Sequence, residues 1–254
     1  MDLQIGGKRA LVTGGSRGIG RAVALVLAEE GCDVVLAARD QAALDKTAQD
    51  IRGKFQVNVE VISADLSSDA AMRDIAARAG DVDILVNNAG AIPPGTISKV
   101  DDATWRAAWD LKVFGYISLS REIYAGMAKR GGGVIVNIIG AAGERHPSGY
   151  IAGAAGNASL MGFTRGLAHG AHADNIRVVG INPGAILTER AEMLARTKAQ
   201  DQCGDSEKWR DMHKGLPFGR AGKPEEVAYA VAFLASPRSS YTSGTILTID
   251  GGRE

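Results

Sequence analysis

Thr13-Gly14-Gly15-Ser16-Arg17-Gly18-Ile19-Gly20 decides how this chain is read. The stretch stands directly after a short apolar run, Arg9 to Thr13, and opens a segment of helical pattern, Gly20 to Glu30, that stops at Gly31. Glycine at these places permits a tight turn with positive φ, lets backbone N–H groups approach a pyrophosphate, and leaves the dipole of the following helix aimed at it. Strand, glycine turn and helix in that order predict a dinucleotide site built on Gly14, Ser16, Arg17, Gly18, Ile19 and Gly20.

Further short β-branched runs follow at Asp33 to Ala38, Val57 to Ala64, Asp83 to Val86, Val134 to Ile139, Arg177 to Ile181 and Thr245 to Ile249. They are apolar on both faces, which suits strands inside a parallel sheet covered on each side by helices. Helical segments separate them; one, Pro224 to Ala235, opens on proline, as helices often do. Seven strands alternating with helices predict an α/β fold, a three-layer doubly wound parallel sheet of Rossmann type. No linker or composition break divides residues 1–254, so a single nucleotide-binding domain is expected. The polar segment Gly184 to Gly219 reads as a long irregular loop, and such a loop in a compact domain is expected to serve as a lid.

Charge and composition exclude several classes of function. The chain has 29 basic and 29 acidic residues, well interspersed, so no cationic surface is expected for nucleic acid or an anionic membrane. Two cysteines, Cys32 and Cys203, and four histidines offer neither a disulfide framework nor metal-ligand spacing. The N-terminal residues lack a secretory h-region and no stretch is long and apolar enough to cross a bilayer, so a soluble, cytoplasmic protein is expected.

Three more motifs fall at strand C-terminal ends: Ala64-Asp65-Leu66, Asn87-Asn88-Ala89-Gly90, and Asn182-Pro183-Gly184 followed by Thr188. Ligands bind at that edge in open α/β sheets, so the motifs converge on one crevice. Through these, together with Gly162-Phe163-Thr164 and Ile249-Asp250-Gly251-Gly252, the whole chain resembles the short-chain dehydrogenase/reductase family. The resemblance implies that Asp65 holds an adenine amino group with Leu66 beside it, and that Asn87, Ala89 and Gly90 line the adenosine side. It also places Pro183, Gly184, Ile186 and Thr188 near the nicotinamide or pyrophosphate. Where an acidic residue would accept from a ribose 2′-OH, the second strand ends in Ala38 and Arg39. Arg39 with Arg17 favours the 2′-phosphate of NADP(H); NAD(H), with Asp40 on the ribose, stays open.

The same resemblance implies a tyrosine acid, a lysine four residues later, a serine and a helix-borne asparagine. Counting from Gly162-Phe163-Thr164 puts the tyrosine at Gly153 and the lysine at Asn157. Counting from Val136-Asn137-Ile138 puts the serine at Gly140, and the asparagine falls on Lys112. All four family positions are thus altered, and three readings remain open. In the first, an oxidoreductase uses Tyr150, one turn before Gly153, together with Lys112 in the space the glycine leaves, with His146 as a further candidate. In the second, the protein holds NADP(H) without turnover, as a sensor or partner subunit. The third is non-redox chemistry such as elimination or hydration.

The small residues of Ala152 to Ser159 allow close helix approach, and the resemblance implies a homodimer or homotetramer packed there. The lid carries Glu189, Arg190, Glu192, Met193, Arg196, Trp209 and Met212, a mixed set that suits a small or medium polar substrate.

Overall fold

The computed structural model describes residues 1–253, with the side chains of Lys198, Cys203 and Met212 outside that description. Strands β1 (Arg9–Thr13), β2 (Asp33–Ala38), β3 (Val59–Ser63), β4 (Ile84–Asn87), β5 (Gly133–Ile138), β6 (Ile176–Pro183) and β7 (Ile246–Ile249) form one sheet. All its pairings are parallel, in the order β3-β2-β1-β4-β5-β6-β7. Chain direction across the sheet reverses between β1 and β4, and at such a switch point the loops diverge and open a crevice.

Successive residues point to opposite faces, and both faces are apolar. Ala10, Val12, Val34, Leu36, Val134 and Val136 belong to one buried cluster. Leu11, Val35, Leu85, Ile135 and Val178 belong to the other. Helices α1 (Gly18–Glu29) and α2 (Gln41–Arg52) cover the first face. Helix α3 (Asp69–Ala79) covers the second. After β4 the chain forms α4 (Asp102–Trp109), a π-helical turn at Asp110–Phe114, and α5 (Gly115–Lys129) on the second face. After β5 come the short α6 (Ala142–Arg145) and the long α7 (Ile151–Ala171), and α9 (Pro224–Ala235) completes the first face after the lid helix α8 (Glu189–Cys203). Each fully buried aliphatic side chain contributes about 1.5–3 kcal/mol, so the two apolar faces supply the main drive for this layering.

One expectation is corrected. The segment Gly184 to Gly219 is not irregular: α8 runs for 15 residues inside it, followed by a 3-10 turn at Ser206–His213. The start of α8 is a regular one, with the Thr188 hydroxyl accepting from the Ala191 amide, Glu189 and Glu192 in the first turn, and Gly204 at φ 67 ending the helix. Its weak amphipathicity is what hid it. The small-residue surface of Ala152 to Ser159 is largely used within the chain, since Ala152, Gly153, Ala154, Gly156 and Asn157 are buried. A Cβ on Gly156 would lie 3.2 Å from the Trp109 indole nitrogen and from Val113. Among the described residues no helix is long and apolar enough to cross a membrane.

Candidate active site

The crevice predicted at the strand ends is a cavity of about 1270 Å³. The glycine turn closes one end of it. Gly14 has φ 65 and Gly18 φ 55, and a Cβ on Gly20 would sit 2.2 Å from the Gly14 carbonyl oxygen. Only glycine lets the chain double back this tightly. Thr13 Oγ1 accepts from the amides of Asn88 (2.8 Å) and Ala89 (3.1 Å), and Asn88 Nδ2 donates to the Thr13 carbonyl at 2.9 Å. These bonds pin the ends of β1 and β4 together. Arg17, at the N-cap of α1, offers no side-chain cap, so the first-turn amides of that helix are open to an anion. Gly14, Ser16, Arg17, Gly18, Ile19, Arg39, Leu66, Ala89, Gly90, Pro183, Gly184 and Thr188 all line the cavity. Tight turn, uncapped amides and this volume fit a dinucleotide phosphate.

Four of the expected cofactor residues do not line the cavity, and Gly20, packed against the Gly14 carbonyl, is the first. The Asn87 side chain is 1% exposed, and its Nδ2 donates to Ser120 Oγ and Asn137 Oδ1 at 3.0 and 2.9 Å. It belongs to a buried polar floor that continues from Asn137 Nδ2 to Thr164 Oγ1 at 2.9 Å; Asn88 is the asparagine that lines the cavity. Asp65 is exposed at the rim, where the Ser67 hydroxyl and amide donate to its carboxylate and hold its pKa below the usual range. Ile186 is buried in the core, bridged to Gly222, and does not line this cavity.

At the rim beyond β2, Arg17 and Arg39 flank Asp40. The Asp40 carboxylate is already engaged: one oxygen caps α2 through the Ala43 amide at 3.0 Å, and the other pairs with Arg17 at 2.6 Å.

The other side of the cavity holds Gly140 and, beneath Tyr150, Gly153, where the resemblance implies a serine and a tyrosine. Gly140 has φ 133, and a Cβ there would lie 2.7 Å from Asn157 Nδ2. A Cβ on Gly153 would lie 2.0 Å from Tyr150 Cε1 and 2.1 Å from Cζ. The volumes that side chains at 140 and 153 would fill are therefore taken by the Asn157 amide and the Tyr150 ring. Asn157 is 2% exposed and its Oδ1 is buried without a partner. Tyr150 packs beside Ile92, Val100, Ala108 and Ala152 while lining the cavity.

Lys112 enters from the π-helical turn, where Gly90 makes way for it: a Cβ on Gly90 would meet the Lys112 stem at 2.8 Å. Its ammonium donates to the Ile139 carbonyl at 2.5 Å, and burial pulls its pKa down to about 8.

Tyr150 and Lys112 line the same cavity, and among the described residues no hydrogen bond joins them. Burial raises the Tyr150 pKa, and the charge that works against this is Arg190, at the start of α8. Counting along one helix could not have found Arg190, because it arrives from the lid. His146 is exposed, with φ 51, and does not line the cavity. Of the lid residues, Glu189, Arg190 and Met193 line it. Arg196 instead pairs with Glu192 and Glu207, and Trp209 is buried beneath Arg210 and His213; the Met212 side chain lies outside the described ones.

Comparison with known proteins places this geometry. A family model described as enoyl-(acyl carrier protein) reductase matches residues 14–254. A 3-oxoacyl-(acyl-carrier-protein) reductase of Chlamydia muridarum is 34% identical over 249 residues, covering 96% of this chain and 96% of the relative. A dehydrogenase/reductase SDR family member 4 of Caenorhabditis elegans is 34% identical over 251 residues, covering 97% and 95%. The structure of L-sorbose reductase from Gluconobacter frateurii, complexed with NADPH and L-sorbose, superposes with TM-score 0.93 at 35% identity, over 99% of this chain and 98% of that one.

Proposed function

Because the chain belongs to the short-chain dehydrogenase/reductase family of oxidoreductases, we propose that it is an NADP(H)-dependent enzyme interconverting a carbonyl and a hydroxyl group, with Tyr150 carrying the proton. The observation that carries this reading is the Tyr150 ring lying over Gly153, in the volume a side chain at 153 would occupy. Three of the four residue types that the resemblance implies are kept while their positions change; the serine, at Gly140, is not. Tyrosine stands one turn earlier, and the asparagine and lysine that the resemblance puts at 112 and 157 stand at 157 and 112.

When bound, NADP(H) supplies or accepts the hydride. The chain's own residues do the rest. The open amides of α1 hold a pyrophosphate, and Arg39 with Arg17 flanks a 2′-phosphate. Asp40 is already shared between the Ala43 amide and Arg17, so a ribose 2′-OH would compete for it, which favours NADP(H) over NAD(H). The Tyr150 hydroxyl donates its proton as the carbonyl is reduced, and the Arg190 charge eases that loss against burial. Lys112 spends one of its three N–H groups on the Ile139 carbonyl and turns the others to a substrate oxygen or to water.

The test is NADPH oxidation over a carbonyl panel and NADP+ reduction over an alcohol panel, with wild type and Tyr150→Phe. Tyr150→Phe is expected to lower kcat about 10²–10⁴-fold while leaving NADPH affinity unchanged. A variant that keeps the full rate removes Tyr150 from the chemistry. A protein that binds NADPH and turns over nothing is instead a nucleotide-binding partner or sensor.

A further inference from the structure

The chain as a whole is neutral, with 29 basic and 29 acidic residues, yet the cavity is not. Its lining includes Arg17, Arg39, Lys112, Arg145, Arg190 and Arg253, against Asp40 and Glu189. The first two arginines stand at the glycine-turn side, where the cofactor phosphates would lie. The other four cations stand beyond β4, β5, β6 and β7, where Glu189 also lines the cavity and Asp250 pairs with Arg145.

These side chains are not equally free. Arg145 donates to the Asp250 carboxylate and, at 2.7 Å, to the Arg253 carbonyl, and so ties the C-terminal segment against the cavity wall. That tie brings the Arg253 side chain to the lining. Among the described residues, neither Arg253 nor Arg190 has an ion-pair partner, and Glu189 pairs with neither. Arg190 is also badly placed for its own helix: it lies in the first turn of α8, where the dipole disfavours a cation. Two arginines with no ion-pair partner among the described residues line one cavity, and Arg145 holds the backbone of the second; guanidinium groups so placed suit a planar or tetrahedral oxyanion.

We infer that the substrate carries a carboxylate or phosphate group, bound by Arg190 and Arg253, with Arg145 positioning Arg253. The inference rests on the redox reading of this site, since it treats the β5–β6 side of the cavity as the substrate's. Arg190 and Tyr150 line the same cavity, so the anionic group and the reacting carbon belong to one small substrate. That geometry suits a short oxo or hydroxy acid, or a small phosphorylated carbonyl compound, over a neutral polyol or a large apolar ring system.

Calorimetric titration of the NADP+-saturated protein separates the possibilities, because saturation covers Arg17 and Arg39. The probes are short oxo and hydroxy acids, each with its methyl ester or amide, and small sugar phosphates, each with its parent sugar. At least one anionic probe is expected to bind about tenfold tighter than its neutral partner. Arg190→Gln is expected to erase the preference, Arg190→Lys to keep part of it, and Arg78→Gln, on α3 outside the cavity lining, to leave it intact. Preference among the acids alone identifies a carboxylate, and among the sugar phosphates alone a phosphate. Equal or weaker binding of every anionic probe, including no binding at all, overturns the inference. Anion preference without NADPH oxidation keeps the inference and removes the redox reading, whereas turnover of neutral compounds only does the reverse.

Discussion

Substituting alanine at Gly153 tests the site with one methyl group. The new Cβ would stand 2.0 Å from Tyr150 Cε1 and 2.1 Å from Cζ. Carbon atoms rest at about 3.5 Å or more, so the ring must withdraw by more than about 1 Å. Two effects on stability oppose each other. Alanine gains about 1 kcal/mol over glycine in a helix interior, and Gly153 lies inside α7. Displacing the ring from Ile92, Val100, Ala108 and Ala152 loses part of its buried area, about 1–2 kcal/mol. The net is close to zero, so for a chain of this size Tm should move by less than about 4 °C. Activity has no such compensation. A reacting group displaced by about 1 Å costs on the order of a hundredfold, and a displaced proton donor no longer serves. Gly153→Ala is therefore expected to melt like wild type, to bind NADPH like wild type, and to lose about a hundredfold in kcat. The reasoning fails if kcat stays within about twofold of wild type, or if a structure of the variant shows the ring unmoved.

The pH dependence of stability should report the buried ammonium of Lys112. Its folded-state pKa near 8 lies below the ordinary 10.5, so between these values the unfolded chain holds more protons and stability rises with pH. Chemical denaturation of wild type minus Lys112→Met across that window should show a rise of about 2 kcal/mol, after allowance for the open cavity, and a flat difference would remove the ammonium from its buried setting. Arg39→Gln should raise the KM for NADPH at least about tenfold and change that for NADH little, as read in parallel steady-state assays; equal losses for both would undo the assignment to a 2′-phosphate. At the start of α9, Glu226 accepts from Arg220 and from the Lys223 amide, which holds its carboxyl down to about 2. A depressed carboxyl stabilises the fold above its unfolded value and loses that contribution as pH falls towards 2, so Glu226→Gln should cost about 1 kcal/mol at pH 7 and nothing near pH 2 in denaturant melts.

The sheet was legible because its signal is local. Apolar runs on both faces mark strands wherever they occur, and β1 and β2 fall on the predicted residues because Lys8, Thr13, Asp33 and Arg39 punctuate them sharply. The glycine turn was legible for the same reason: it is one contiguous stretch whose function follows from backbone geometry. The lid helix was missed because α8 has a weak apolar face, although Thr188 at its cap and Gly204 at its end were there to be read. Asn87 was placed in the crevice because its position along the chain is right; only the packing shows its amide turned down to Ser120 and Asn137.

The reactive part of the site was legible only as a set of losses. Counting by position, Gly140 and Gly153 register as missing hydroxyls, because a glycine carries no sign of what fills its empty volume. In three dimensions that volume is taken by the next available groups, the Asn157 amide at Gly140 and the Tyr150 ring at Gly153. The glycines are then requirements of the arrangement: with any side chain at 153 the ring could not lie where it does. Coupling of this kind joins residues on different turns and different elements, as with Arg190, which reaches the same cavity from α8 and bears on Tyr150 through space. A position-by-position comparison finds a tyrosine and a serine gone, whereas the cavity still gathers a phenol, an ammonium, a carboxamide and guanidinium groups along its lining. What such a set can do depends on the distances between its members, and those are set by the fold.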